Sequence, residues 1–471
     1  MKLRVRFALI ILGVVLFRFA FPGGGVPMFA FIAMIPIITI SHHSKPKTAL
    51  LFGLLFGTAI WSCCIWWTMP AIAKMATTSV WLLLPVFLLF CLFYALPYAA
   101  YSYAIAKYKL AMTIKGAFIS TTLLTLIIFV YPHFLPGNLV HGLYQQTWFI
   151  QIAEIGGVPF LFFVVNLING LFACTILNVK EHKQSARMSV VATLLVFSAT
   201  VIYSQYKLDI IHSGLKNKSI TVGVVQPNIP ISWRDDEFDH QYDVYQRLAD
   251  LSISLKQENP NVDVIIWPEI PTPFSYNEDE ADRAFLDSLQ QHLQTDIIFS
   301  SGYVYADDEH ENYYNTAQLL SEGTLTSYNK QILLPFGEYL PFKETLPWLN
   351  NIFHNALNYV PGNEYKHFNL KDNIKAMPLV CYEAVFSRFV SKGIENDTDM
   401  FINLVDDAWF GDSAAAEIHF ALSAFRSIEH RIPMVRVTNA GISAIIHRDG
   451  SITQMDKNLN VIRVFSEMFS I

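Results

Sequence analysis

Acidic residues are nearly missing from the first half of this 471-residue chain. Residues 1–217 hold three of them, Glu154, Glu181 and Asp209, against fifteen lysines and arginines, a net charge of +12. The whole chain stands at −6, so the remainder carries −18. Two bodies with different solvents are therefore expected, joined near residues 213–218. Cysteine is also scarce: Cys63, Cys64, Cys91 and Cys174 lie in or beside apolar runs, and Cys381 stands alone in the acidic body. Paired Cys/His spacing and a Gly-rich phosphate loop are both lacking, so no metal, nucleotide or other cofactor is expected, and nucleic acid is not expected as a partner. No internal repeat or low-complexity tract is visible.

What fills the first body is apolar sequence, in a chain that is 53% hydrophobic. Seven runs stand out, at 6–21, 26–41, 49–67, 79–104, 116–131, 158–177 and 188–204, several close to the ~20 residues that cross a bilayer. The first two are short, Arg18 interrupts the first, and the pair could instead form a re-entrant hairpin. Pro22-Gly-Gly-Gly25 does not read as a signal-peptide cleavage site, and further runs follow. Lys2, Arg4, Arg6, Lys45, Lys47, Lys107, Lys109, Lys115, Lys180, Lys183 and Arg187 fall in one set of loops, and Lys74 alone in the other. That asymmetry predicts a cytoplasmic N-terminus and an exported second body. The expected domains are a membrane domain of about seven helices at 1–217 and a catalytic domain at 218–471.

From Ser219 the pattern changes to short β-branched runs separated by polar helical stretches. Strands are expected at 220–225, 262–267, 296–303, 313–320, 374–380, 400–404 and 434–438, with a hairpin across Arg448-Asp-Gly450. Helices are expected at 240–258, 280–293, 384–395 and 414–430. Such alternation indicates an α/β domain with buried sheets.

Three reactive groups fall at strand ends or in loops. Glu269 follows Trp267-Pro268, Lys330 precedes an apolar run, and Cys381 closes the strand 374–380. Each alone has an ordinary reading, as turn carboxylate, surface lysine and small core thiol. A solitary thiol in an exported body is a liability, however, which favours a reactive Cys381. A helix starting just beyond it is expected to favour the thiolate. Together the three supply a base, a cation for the oxyanion and a nucleophile, the set that acyl transfer through a thioester requires.

The order Trp267-Pro-Glu269, Asn329-Lys330 and Cys381-Tyr-Glu383 resembles the carbon–nitrogen hydrolase, or nitrilase, superfamily. The apolar first half, with Val225-Gln-Pro-Asn228, Leu334-Pro-Phe-Gly-Glu-Tyr339, Asp407-Ala-Trp-Phe-Gly411 and Thr438-Asn-Ala-Gly441, is similar more narrowly to the apolipoprotein N-acyltransferase family. The resemblance implies a four-layer αββα sandwich on the outer face of a bacterial inner membrane. It implies a phospholipid acyl donor and a diacylglyceryl lipoprotein as acceptor. It also implies Glu269, Lys330 and Cys381 as catalytic residues, with Glu338, Tyr382, Glu383 and Trp233 in support.

His419 and Asn439 are read as structural hydrogen-bonding groups, and Asp406-Asp407 as a charge added near the site where the family has Asn-Asp. The family also leads one to expect a further C-terminal span, which residues 459–471 are too polar to supply. Residues 333–359 carry Phe336, Leu340, Phe342, Leu346, Trp348, Leu349, Ile352 and Phe353, enough apolar surface for a lid or membrane-facing arm. The rival expectation is a membrane-tethered amidase that passes the acyl group to water.

Overall fold

Backbone polarity decides the architecture of the apolar half. The computed structural model describes residues 1–75, 79–213, 219–230, 240–269, 276–306, 311–347, 359–455 and 463–467. It divides into one unit made of Met1–Pro70 and Ser79–His212 and a second made of Ala71–Thr78 and Ser213–Ile471. Among the described residues four helices are long and apolar enough to cross a membrane: Pro46–Cys64, Leu83–Tyr108, Ala153–Asn178 and Lys183–Ser213. Leu3–Ala20 is also helical but carries Arg4, Arg6 and Arg18, and Ile114–Val130 is shorter. The apolar run at 26–41 is not one helix. It is a 3-10 turn at Pro27–Phe31 followed by the helix Ile35–His42, whose second residue is Pro36.

A break of this kind leaves main-chain groups that lipid could not satisfy. Asn169, buried on the Ala153–Asn178 helix, supplies the partners. Its Nδ2 donates to Ala30 O at 2.8 Å, and its Oδ1 accepts from Met34 N at 2.9 Å. Small residues set a close helix pair: a Cβ on Gly57 would meet the Ala95 Cα and Cβ at 2.7 Å, so only glycine lets Pro46–Cys64 and Val80–Tyr108 approach so nearly.

In the second unit the β-branched runs become strands. They are β1 Ile220–Val224, β2 Val264–Ile266, β3 Asp296–Ala306, β4 Glu311–Ser321, β5 Thr324–Asn329, β6 Phe368–Leu370, β7 Ile374–Val380, β8 Met400–Val405, β9 Met434–Thr438, β10 Ala444–Ile446, β11 Ile452–Gln454 and β12 Arg463–Glu467. They make two six-stranded sheets, β12-β1-β2-β3-β4-β5 and β11-β10-β9-β8-β7-β6. Each sheet has three parallel strands (β1, β2, β3 and β7, β8, β9) flanked by antiparallel neighbours in the same pattern. The sequence shows no repeat, yet the topology is one half-domain used twice.

Helices cover the outer faces. Val244, Leu248 and Leu255 of Gln241–Glu258 and Leu286, Leu289 and Leu293 of Glu280–Leu293 pack on Ile265, Trp267, Ile297 and Phe299. Ser387–Gly393 and Ala415–His430 belong to the second sheet, the latter buried along most of its length. The expected four-layer α/β sandwich is the observed one, with β4 meeting β7 between the sheets. One expectation needs correcting. Residues 384–395 are not a continuous helix: a 3-10 turn, Cys381–Val385, is interrupted at extended Phe386 before Ser387–Gly393 begins.

Candidate active site

Parallel sheets place functional groups beyond the C-terminal ends of their strands, and both halves of this domain do so. Glu269 lies three residues past β2, Cys381 follows β7 directly, and Asp406 and Asp407 follow β8. Lys330 follows β5, which pairs antiparallel to β4 as β3 does, so β5 runs with β3 and ends at the same edge.

The groups so delivered are buried and bonded. Lys330, 1% exposed, donates from Nζ to Glu269 Oε1 at 3.2 Å and to Glu338 Oε1 at 2.8 Å. Its reading as a surface lysine is excluded. Asn315 of β4 donates Nδ2 to both carboxylates, at 2.9 and 2.7 Å. Glu269 Oε2 accepts from the Asp406 main-chain N–H at 3.1 Å, and the Cys381 thiol adjoins the same carboxylate. Glu338 Oε2 closes its own turn by accepting from Leu334 N at 2.7 Å.

Charge follows from that packing. Burial lifts the Glu269 carboxyl above its ordinary value; Lys330 opposes the rise and Glu338 adds to it. Burial alone would depress Lys330, but Glu269 and Glu338 outweigh it and hold the ammonium well above its usual range. The Cys381 thiol is pushed well above its ordinary value by burial first and then by Glu269, with Lys330 opposing. The expectation of a thiolate favoured by a helix end is therefore overturned. The turn after Cys381 is five residues of 3-10 helix, and desolvation beside a carboxylate dominates. At rest the sulfur keeps its proton beside Glu269.

Glu383 works from behind. Its Oε1 accepts from Tyr328 Oη at 2.7 Å, Gln331 N at 2.6 Å and Ile332 N at 3.3 Å, and its Oε2 from Val380 N at 2.8 Å. It thus ties the strand that ends in Lys330 to the strand that ends in Cys381. Burial moves its carboxyl up to about 7 despite these donors. Tyr382 is buried with its ring edge-on to Phe386 at 4.7 Å. Trp233 lies outside the described residues, as do Trp348, Leu349, Ile352 and Phe353 of the apolar stretch. Within that stretch Leu333 and Leu340 are buried, while Phe342 is 67% exposed.

Asn439 and His419 bond as structural groups should. Asn439 exchanges bonds with the Ile229 main chain at 2.8 and 3.0 Å and reaches Asp406 Oδ1 at 3.3 Å. His419 bridges Asp407 and the Cys381 carbonyl. The charge expected from Asp407 is absorbed: burial would raise its carboxyl, but His419 and Arg436 outweigh burial and hold it below its usual range.

Asn315, Tyr328, Asn403 and Arg436 were not singled out by sequence. Arg436 did carry a signal, as a lone charge inside the otherwise apolar strand Met434–Thr438.

Residues 221–459 match the carbon–nitrogen hydrolase family, and residues 13–171 match the apolipoprotein N-acyltransferase N-terminal domain. The chain belongs to the carbon–nitrogen hydrolase family. The carbon–nitrogen hydrolase match takes in the strands from β1 to β11, leaving out β12, and the second match covers most of the apolar unit. The apolipoprotein N-acyltransferase of Geobacter metallireducens is 26% identical over 454 residues, 94% of this chain and 86% of its own. That of Rickettsia typhi is 30% identical over 338 residues, 70% of this chain and 64% of its own. Saccharomyces cerevisiae Nit3, a member of branch 10 of the nitrilase superfamily, aligns with 54% of this chain and 93% of its own at 17% identity and a TM-score of 0.41. The family resemblance drawn from the motifs is borne out, and the chain is an acyltransferase within this family.

Proposed function

We propose that this chain transfers a fatty acyl group from membrane phospholipid, through a thioester on Cys381, to the N-terminal α-amine of a diacylglyceryl-cysteine on a lipoprotein. The observation that carries the reading is a buried thiol adjoining the carboxylate of Glu269, which Lys330 holds through the same oxygen that accepts from Asn315. Glu269 takes the thiol proton as sulfur attacks the ester carbonyl, and Lys330 stabilises the oxyanion that develops. Collapse breaks the ester C–O bond, and the lysophospholipid oxygen leaves with the proton held on Glu269. The acceptor amine then attacks the thioester, the C–N bond forms, the C–S bond breaks and the thiol is restored. Glu338 and Glu383 support Lys330 and the Cys381 strand, and Tyr382 and Trp233 are assigned to substrate support. No cofactor is invoked.

The loop charges support a bacterial inner-membrane location with the N-terminus in the cytoplasm, the acidic unit on the periplasmic side, and domains meeting near residue 217. The match over residues 13–171 favours transfer over the amidase alternative. Protein incubated with phospholipid and no acceptor should accumulate a hydroxylamine-labile fatty-acyl adduct on Cys381, read by intact-protein mass spectrometry. A peptide bearing an N-terminal diacylglyceryl-cysteine should discharge it into an amide. Discharge by water alone would favour the amidase, and full transfer by Cys381→Ala would overturn the proposal.

A further inference from the structure

Cys381 has φ +50°, the left-handed region that a side chain makes unfavourable. Something must hold it there, and its carbonyl oxygen shows what does. That oxygen accepts from His419 Nε2 at 3.2 Å and from Asn403 Nδ2 at 3.3 Å. Neither partner is free to swing. His419 Nδ1 is bound to Asp407 Oδ1 at 2.8 Å, and Asn403 Oδ1 accepts from Arg436 Nη1 at 2.7 Å. Arg436 Nη2 donates to Asp407 Oδ2 at 2.9 Å, which closes the circuit.

We propose that Asn403, Arg436, Asp407 and His419 form a closed hydrogen-bonded ring that clamps the Cys381 main chain in its left-handed conformation, and that His419 is a positioning residue for the nucleophile. The inference rests on the proposed role of Cys381.

Several features make the ring more than a set of neighbours. Its members come from β8, β9, the turn after β8 and the helix Ala415–His430, so no local turn would bring them together. The planar Arg436 fork spends one nitrogen on Asn403 and the other on Asp407, a geometry that lysine cannot reproduce. Asn403, Asp407 and Arg436 are buried, so each bond is made in a medium where losing it is costly. Even Gly441 fits: it sits at φ +124°, and a Cβ there would come within 2.9 Å of Asp407 Oδ2. Both His419 ring nitrogens are engaged, Nδ1 with the Asp407 carboxylate and Nε2 with the Cys381 carbonyl. Because the C=O and N–H of one peptide point opposite ways, fixing the Cys381 carbonyl also fixes the direction of the Tyr382 N–H beside the sulfur.

The test measures single-turnover formation of the Cys381 thioester, the KM for phospholipid and the thermal midpoint in the full-length protein. His419→Ala should slow thioester formation at least tenfold while the phospholipid KM stays within about twofold. Leu422→Ala, a core truncation on the same helix outside the ring, should lower the midpoint while the folded protein keeps its rate. Arg436→Lys retains a cation for Asp407 but opens the ring, and should give the His419→Ala phenotype; it carries the test if His419→Ala does not fold. A wild-type rate in folded His419→Ala or folded Arg436→Lys would overturn the inference. So would a rate loss in Leu422→Ala that matches the ring variants at equal loss of stability. If the wild-type protein never forms the thioester, it is the proposed function that fails.

Discussion

Each half of the domain holds a buried ion cluster built on a carboxylate that follows the middle parallel strand of its sheet, and the charge arithmetic of the two differs. After β2 and β5, one ammonium (Lys330) serves two carboxylates, Glu269 and Glu338. In the other, one carboxylate (Asp407, after β8) is shared by Arg436 within β9 and His419 on the helix Ala415–His430. The first cluster has one cation for two carboxylates, and burial, with Lys330 opposing and Glu338 adding, leaves Glu269 holding protons more readily than an ordinary carboxyl. In the second, Asp407 is over-supplied with donors and is held firmly ionised. A base that must gain and lose a proton belongs in the first environment; a strut belongs in the second.

The largest expected effect tests that division. Glu269→Gln removes the acceptor of the thiol proton and should cost at least a hundredfold in thioester formation. Stability should change little, because the carboxylate being removed was itself costly to bury. Asp407→Asn should do the reverse to the fold. It strips the partner from the fully buried Arg436 guanidinium and should cost about 3–5 kcal/mol, read from chemical denaturation of the purified protein. If Glu269→Gln proves the more destabilising of the two, the assignment of base and strut is wrong.

Sequence reading reached the reactive groups of the first cluster and, in the second, Asp407 and His419 but neither Arg436 nor the contacts that join the three. The strands 374–380 and 434–438 were legible to the residue because each is a mainly apolar run broken by a single cation, and Cys381 came with the first. The strand that delivers Lys330, Thr324–Asn329, was not legible. It is a half-exposed, Ser/Thr-rich edge whose alternation is weak. Phe368–Leu370 is too short to carry a period. Asn315 gives no sign of its role, because the two carboxylates it bridges lie 46 and 23 residues away and only strand pairing brings them together. His419 could be read as a structural hydrogen-bonding group, but its contact with the Cys381 carbonyl spans 38 residues and depends on a helix crossing a turn.

A middle-sized effect uses pH to sharpen the comparison. Glu383, like Glu269, has its folded carboxyl raised, to about 7 from 4.5. The folded state then binds the proton more tightly than the unfolded chain, so stability is highest below the unfolded value and declines as pH rises toward about 7. The decline amounts to at most about 3 kcal/mol. Asp407 contributes with the opposite sign: its stabilisation is present above the ordinary carboxyl value and is lost as pH falls through its lowered one. Thermal melts of Glu383→Gln between pH 4.5 and 7 should lose part of the wild-type slope, whereas melts in the acid range should show the Asp407 contribution unchanged. An identical slope in Glu383→Gln would mean that the carboxylate is ionised throughout.

The smallest effect isolates the tie between the two halves. Tyr328 Oη donates to Glu383 Oε1 at 2.7 Å, from the strand that ends in Lys330 to the turn that begins with Cys381. Tyr328→Phe keeps the ring in a fully buried site and removes one hydroxyl, so no cavity forms. A charged acceptor loses one of its donors, worth roughly 1–3 kcal/mol in a buried setting. Gln331 N, Ile332 N and Val380 N still hold the carboxylate, which places the expected loss at the low end. The same change should raise the Glu383 carboxyl further, because a donor that favours its ionised form is gone. Tyr328→Phe should therefore melt a few degrees lower, with the gap from wild type widening as pH climbs through 7. Glu383→Gln/Tyr328→Phe should show no such widening. If the gap is flat with pH in the single variant, the hydroxyl serves packing and the tie runs through the main-chain donors alone.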